Sequence, residues 1–177
     1  QICEIIVDMQ KKYQWPSTIC GSTGKNNKER IISATSILGD AYQFGMSVQS
    51  MDEKVLNNIN RSNIKLETYA AINEHLRNSD RSTVTEFIAG LPGETKESFI
   101  KGVREFVDSG IDRVTIYTLM MLYGTKFKDQ KYRAKFNMKG KYRIVPLNLG
   151  EYDGVKIFDY EEVCVENKDM SFNDYLD

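Results

Sequence analysis

The chain has 177 residues, 41% apolar and 28% charged, enough for one domain with a sizeable core and ordinary for a folded protein. Its 24 Lys and Arg nearly cancel its 25 Asp and Glu, so no global field draws it to a nucleic-acid backbone or an anionic membrane. No apolar run approaches the roughly 20 residues of a membrane span, and no leader resembles a signal peptide, so the chain reads as cytoplasmic.

The chain starts at Gln1, inside an apparent helix over residues 2–13 carrying Ile2, Ile5, Ile6 and Met9, and so reads as a fragment of something longer. Trp15-Pro16 ends that helix, because proline cannot continue the ladder. A short strand follows near 18–22. Asn26 and Glu29 form a capping-box pattern before a helical face of Ile31, Ile32, Thr35 and Leu38, which stops at Gly39. Gly45–Gln49 reads as a strand with Met46 and Val48 on one face and Ser47 and Gln49 on the other. Ser50 and Glu53 suggest a cap for the helix carrying Val55, Leu56 and Ile59, and a further helix is expected over Lys65–Arg77. Val84–Ala89 is a third strand. The turn Gly90-Leu-Pro-Gly-Glu-Thr95 leads from it into a helix with Phe99, Ile100, Val103, Phe106 and Val107, and Thr95 is its expected cap. Arg113–Met120 is a fourth strand.

Alternating strands and helices imply a parallel sheet with helices outside, hence an α/β fold that is a partial TIM-like (β/α) barrel over residues 1–125. Beyond Gly124 the period changes. Tyr142–Leu147 and Val155–Val165 suggest antiparallel strands and 173–176 a short helix, so that 126–177 reads as a small C-terminal β-rich extension. Four units cannot close a barrel, so exposed sheet edges make self-association an expectation.

In parallel sheets ligands bind at the carboxyl ends of the strands. Ser47 and Gln49 lie there. Glu86 shares a strand face with Val84 and Ile88, where a carboxylate is costly unless it is bonded, either to an ion-pair partner or to ligand hydroxyls. The glycines of the 90–95 turn suit a ligand edge or simply a short loop. Arg61, after the helix over 52–60, suits a forked pair with a carboxylate, though most such arginines are solvated. Cys3, Cys20 and Cys164 are too scattered for a disulfide framework or a zinc site and read as small buried apolar residues. His75 is the one histidine and reads as solvated, which leaves no basis for a nucleophilic triad.

The stretches Ser47-Val-Gln-Ser-Met-Asp-Glu-Lys-Val-Leu-Asn-Asn-Ile-Asn-Arg61, Glu86-Phe-Ile-Ala-Gly-Leu-Pro-Gly-Glu-Thr-Lys-Glu-Ser-Phe99 and Asp112-Arg-Val-Thr-Ile-Tyr-Thr-Leu-Met-Met-Leu-Tyr-Gly-Thr125 together resemble the second half of the barrel of radical S-adenosylmethionine (SAM) enzymes. The group resembled contains oxygen-independent coproporphyrinogen oxidase, tRNA methylthiotransferases and cobalamin-binding members. The Ser22–Lys28 loop and Gly150-Glu-Tyr-Asp-Gly154 resemble the cobalamin-binding branch most. The resemblance implies a [4Fe–4S] cluster on a Cys-x-x-x-Cys-x-x-Cys loop, which reduces SAM to release a 5′-deoxyadenosyl radical. That loop is absent from this sequence, so the chain by itself is expected to be inactive and to bind no metal. By the same resemblance, Ser47 and Gln49 lie at the SAM pocket, Gln49 and Glu86 meet the SAM ribose, Arg61 the methionine carboxylate, and the backbone of Gly90 and Leu91 the adenine. Glu86 stands where related oxidases often carry Asp.

The expectation is therefore a fragment of a radical SAM enzyme that contributes half of a SAM pocket, with the cluster and any cobalamin held elsewhere in the full protein. Two other readings stay open. One is a catalytically inert half-barrel that serves as a binding or interaction module; the other is part of a tRNA-modifying enzyme, against which the near-neutral charge weighs. The substrate, small molecule or macromolecule, is not legible, because it is set by loops on a shared scaffold.

Overall fold

The computed structural model describes residues 1–22, 27–63 and 83–177. Four strands, β1 (Ile19–Ser22), β2 (Tyr42–Gln49), β3 (Thr83–Ala89) and β4 (Arg113–Thr118), form one sheet in sequence order. β1 is parallel to β2, and β2 to β3. Helices α1 (Ile2–Tyr13), α2 (Lys28–Leu38), α3 (Glu53–Asn58) and α4 (Lys96–Asp108) alternate with the strands along the chain. This is the partial TIM-like barrel that the alternation of strands and helices predicts. The helix expected over 65–77, with His75, and loop residues 23–26 lie outside the described residues. Among the described residues no helix is long and apolar enough to cross a membrane.

The chain divides into two compact units. The first comprises residues 1–51, 62–87 and 101–115. In it, α2 is capped by Asn27, whose Oδ1 accepts the Arg30 N–H at 3.1 Å. The cap falls one residue later than the pattern suggested, on an asparagine whose φ of 71° is left-handed, a conformation this residue type tolerates. Ile31, Thr35 and Leu38 of α2 are buried, as their helical spacing requires. Helix α1 forms over its predicted span, yet Ile2, Ile5, Met9 and Tyr13 are all exposed and none of its residues is buried.

β3 alternates as a strand must: Thr83, Thr85 and Phe87 are buried, while Val84 and Glu86 are half-buried on the other face. The Phe87 ring meets Phe106 of α4 edge-on, with centroids 5.5 Å apart. Gly102 of α4 allows this close packing, because a Cβ there would lie 3.1 Å from the Met51 Cβ. That compensates for the roughly 1 kcal/mol that glycine costs inside a helix. Asp112 Oδ2 fastens the start of β3, accepting the Thr83 N–H at 2.7 Å and its hydroxyl at 2.9 Å.

The second unit comprises residues 52–61, 88–100 and 116–177. Here α3 is capped by Asp52 rather than by Ser50 and Glu53: its Oδ1 accepts from the Lys54 and Val55 N–H groups at 2.8 and 3.2 Å. Asp52 is the residue with extended backbone just before the helix, as an N-cap must be. Thr95 caps α4 as expected, its Oγ1 accepting from the Ser98 N–H. The core gathers Val55, Leu91, Leu119, Met121, Phe136, Met138 and Cys164. Helix α5 (Gln130–Lys135) supplies Tyr132, whose ring packs beside Phe136 with centroids 5.0 Å apart.

Two long antiparallel strands, β5 (Lys139–Tyr152) and β6 (Val155–Glu166), turn at Asp153-Gly154, both with positive φ, as a tight hairpin prefers. β5 runs past the predicted end at Leu147. Its register shifts between Ile144 and Leu149, around Pro146, which has no N–H to donate to the ladder. Past β4, Leu119–Met121 stays extended: the Leu119 N–H bonds the Ala89 carbonyl, the Met121 N–H bonds the Glu162 carbonyl, and the Cys164 N–H returns to the Leu119 carbonyl. The hairpin thereby joins this segment. Helix α6 (Phe172–Leu176) closes the chain behind a Ser171–Asp174 capping box.

Candidate functional site

In the first unit the parallel register places Ser47 beside Glu86. The Ser47 hydroxyl donates to Glu86 Oε2 at 2.5 Å. An ionised carboxylate offers about four acceptor sites, so this bond leaves Glu86 capacity for further hydroxyl donors. Gln49 sits past a register shift, opposite Phe87, with φ of 67°. The bulge inserts Val48 as an extra residue and interrupts the simple alternation that put Ser47 and Gln49 on one face. A bulge at a strand end re-aims a side chain, and no hydrophobic pattern announces it.

The remaining predicted residues belong to the second unit. Arg61 is exposed, and its N–H bonds the Leu56 carbonyl at 2.8 Å, ending α3. Gly90 has φ of 88°, and a Cβ on it would coincide with the Tyr175 hydroxyl of α6. The buried Asn167 donates from Nδ2 to the Gly90 carbonyl at 3.0 Å. Leu91 is 1% exposed and belongs to the core, so only its backbone is available to a ligand. The turn is also held at Gly93, whose N–H reaches Asp169 Oδ2 at 3.1 Å, and at Pro92, whose carbonyl accepts from Asn58 Nδ2. Burial, with Cys164 beside it, holds the Tyr175 phenol far above its ordinary pKa and so neutral.

A charged cluster that the sequence reading missed lies in the same unit. Glu162, 7% exposed, accepts from Lys128 Nζ at 2.5 Å and from Arg133 Nη2 at 2.9 Å. Burial pushes the Glu162 carboxyl up, but the hydrogen bonds and charges of Lys128 and Arg133 outweigh it and hold it below its ordinary value. The Glu162 bond in turn holds the Lys128 ammonium above its ordinary value. Gly140 makes room for the carboxylate, since a Cβ there would strike Glu162 Oε1. Lys128 also lies 4.4 Å from the Tyr123 ring centroid and 5.7 Å from that of Tyr142. The available sequence signal was the adjacent pair Glu161 and Glu162, in a strand that also carries Lys156, Asp159 and Glu166.

No protein-family model matches the chain. A 2-(S-pantetheinyl)-carbapenam-3-carboxylate methyltransferase of Streptantibioticus cattleyicolor is 30% identical over 184 residues, covering all of this chain and 26% of that protein. The cobalamin-dependent radical SAM methyltransferase TokK of Streptomyces tokunonensis is 28% identical over 113 residues, covering 62% of this chain and 17% of that protein. The structure of coproporphyrinogen III oxidase from Escherichia coli, a radical SAM enzyme, matches 68% of this chain and 28% of its own at 21% identity with a TM-score of 0.55, which shows the shared fold. The chain is homologous to enzymes of the radical SAM superfamily.

Against these curated relatives the chain spans about a quarter of the length or less. Its own thiols do not suit the cluster of that superfamily. Cys20 is exposed and Cys3 half-buried, both in the first unit, against the expectation that every cysteine is buried. Cys164 alone is buried, and its Sγ lies 3.4 Å from the Glu166 carbonyl in the core of the second unit. Among the described residues no three His, Cys, Asp or Glu side chains are gathered as metal ligands require. Cys20 lies on β1, an edge strand of the sheet.

Proposed function

We propose that this radical SAM chain supplies half of a SAM pocket to an enzyme whose cluster is bound by a different segment. The observation that carries the reading is the Ser47–Glu86 pair, a half-buried carboxylate fixed by one hydroxyl and retaining acceptor capacity. Such a group is suited to the two hydroxyls of a ribose. In this reading Gln49 assists at the ribose, Arg61 pairs with the methionine carboxylate, and the backbone at Gly90 and Leu91 meets the adenine. SAM, when bound with a reduced cluster, supplies the radical chemistry; the residues here bind and orient it. The names of the two relatives favour methyl transfer as the reaction class and cobalamin as a further group in the full protein.

Calorimetry on the cluster-loaded full protein tests the pocket. Glu86→Ala leaves ribose hydroxyls without their carboxylate acceptor and is expected to weaken SAM binding by about 1–3 kcal/mol. Arg61→Ala is expected to weaken it as well. Unchanged affinity in both variants would return these residues to structural roles and favour an inert binding module. The edge strands β1 and β4 are also proposed to support self-association. Sedimentation of the 177-residue chain should show a concentration-dependent mass increase, and a constant monomer mass would remove that proposal.

A further inference from the structure

The second unit contains a cavity of about 510 Å³ lined by Met121, Leu122, Tyr123, Lys128, the Tyr142 and Tyr160 rings of the hairpin, and Glu161 and Glu162. Its size falls among small-molecule sites. Tyr142 and Tyr160 meet edge-on with centroids 5.7 Å apart, and Tyr123, Tyr142 and Tyr160 all leave more than half of their surface open. Flat aromatic surface of this kind is covered well by a flat, largely apolar ligand.

The lining itself holds one cation, Lys128, and two carboxylates, Glu161 and Glu162; with the carboxylates' partners Arg133 and Arg143 counted, three cations meet two carboxylates. Lys128 and Arg133 both turn to the single carboxylate of Glu162, while Glu161 is matched by Arg143 Nε at 2.7 Å. Lys128 and Arg133 keep 17% and 26% of their side chains exposed, so the surplus positive charge is only partly hydrated. Rings beside Lys128 offset part of it, but a ring face is a weaker partner than an anion. An ammonium has three donors, and Glu162 takes one of them. A cationic ligand is disfavoured, because the aromatic faces already hold Lys128.

We propose that this cavity binds a small, flat, partly apolar ligand bearing one carboxylate, the rings covering its body and Lys128 taking its anion. The site lies wholly in the second unit and does not rest on the SAM reading. Calorimetry of the full protein with 2-naphthoate and its neutral analogue 2-naphthamide tests it. Naphthoate should bind about ten-fold tighter than the amide, the ratio expected from one hydrogen bond to a charged donor. Lys128→Gln should abolish that preference. Tyr160→Ala, which leaves the Lys128–Glu162–Arg133 cluster untouched, should weaken both probes and preserve their ratio. Failure of both probes to bind, equal affinities on the unaltered protein, a preference surviving Lys128→Gln, or indifference to Tyr160→Ala would each overturn the proposal. SAM affinity measured on the same samples separates this outcome from failure of the ribose pocket.

Discussion

Glu162→Gln is expected to lower the unfolding free energy by about 1–3 kcal/mol, the range for hydrogen bonds to charged groups and below the cost of breaking a fully buried ion pair. The smaller range applies because Lys128 and Arg133 keep part of their surface in water. Glutamine preserves volume and an acceptor, so the loss isolates the charge that two cations share. The pH dependence has a definite sign. The folded carboxyl is held below its ordinary value, so its contribution is fully present above the unfolded value of about 4.3 and is lost as pH falls through the lower folded value. At the other end, the ammonium of Lys128 is held above its ordinary value, so its contribution is complete below about 10.4 and fades as pH rises through the folded value. Urea unfolding followed by circular dichroism should therefore show the gap between the unaltered protein and Glu162→Gln closing in acid. A loss under about 0.5 kcal/mol at neutral pH would mean that the cluster behaves as a solvent-screened surface pair.

Gly90→Ala is expected to cost about 3 kcal/mol or more from two separable sources. A φ of 88° is left-handed, which strains a residue with a Cβ by about 1–3 kcal/mol. The added methyl also occupies the place of the Tyr175 hydroxyl, which must move out of a buried position, and overpacking of this kind costs about 1–3 kcal/mol. A double-mutant cycle with Tyr175→Ala distinguishes the two. The steric part should vanish in the double variant, giving a coupling of about 1 kcal/mol or more, while the backbone part remains. Additive losses would show that Tyr175 does not fill the space above Gly90.

Period and punctuation in the sequence carried the barrel part of the fold. Ile31, Thr35 and Leu38 repeat at helical spacing and are buried together, and Thr83, Thr85 and Phe87 alternate with Val84 and Glu86 as a strand between packed layers requires. The family was legible too, because the strand-to-helix segments after residues 47, 86 and 112 keep their order and spacing. Caps shifted, by one residue to Asn27 and by two to Asp52, since neighbouring polar residues compete for the same N–H groups and only backbone conformation selects among them. The bulge that sets Gln49 opposite Phe87 lay beyond reach, because one inserted residue changes a strand's facing without changing its composition. The same holds for the long-range contacts. Asn167 and Asp169 bind the turn at Gly90 and Gly93, Tyr175 takes the space that glycine leaves, and Lys128 and Arg133 converge on Glu162. Local sequence fixes which segments become helix or strand through short-range sterics and apolar spacing. Which polar groups meet across 29 to 77 residues of chain is decided when burial forces each one to find a partner, and that happens only in the folded structure.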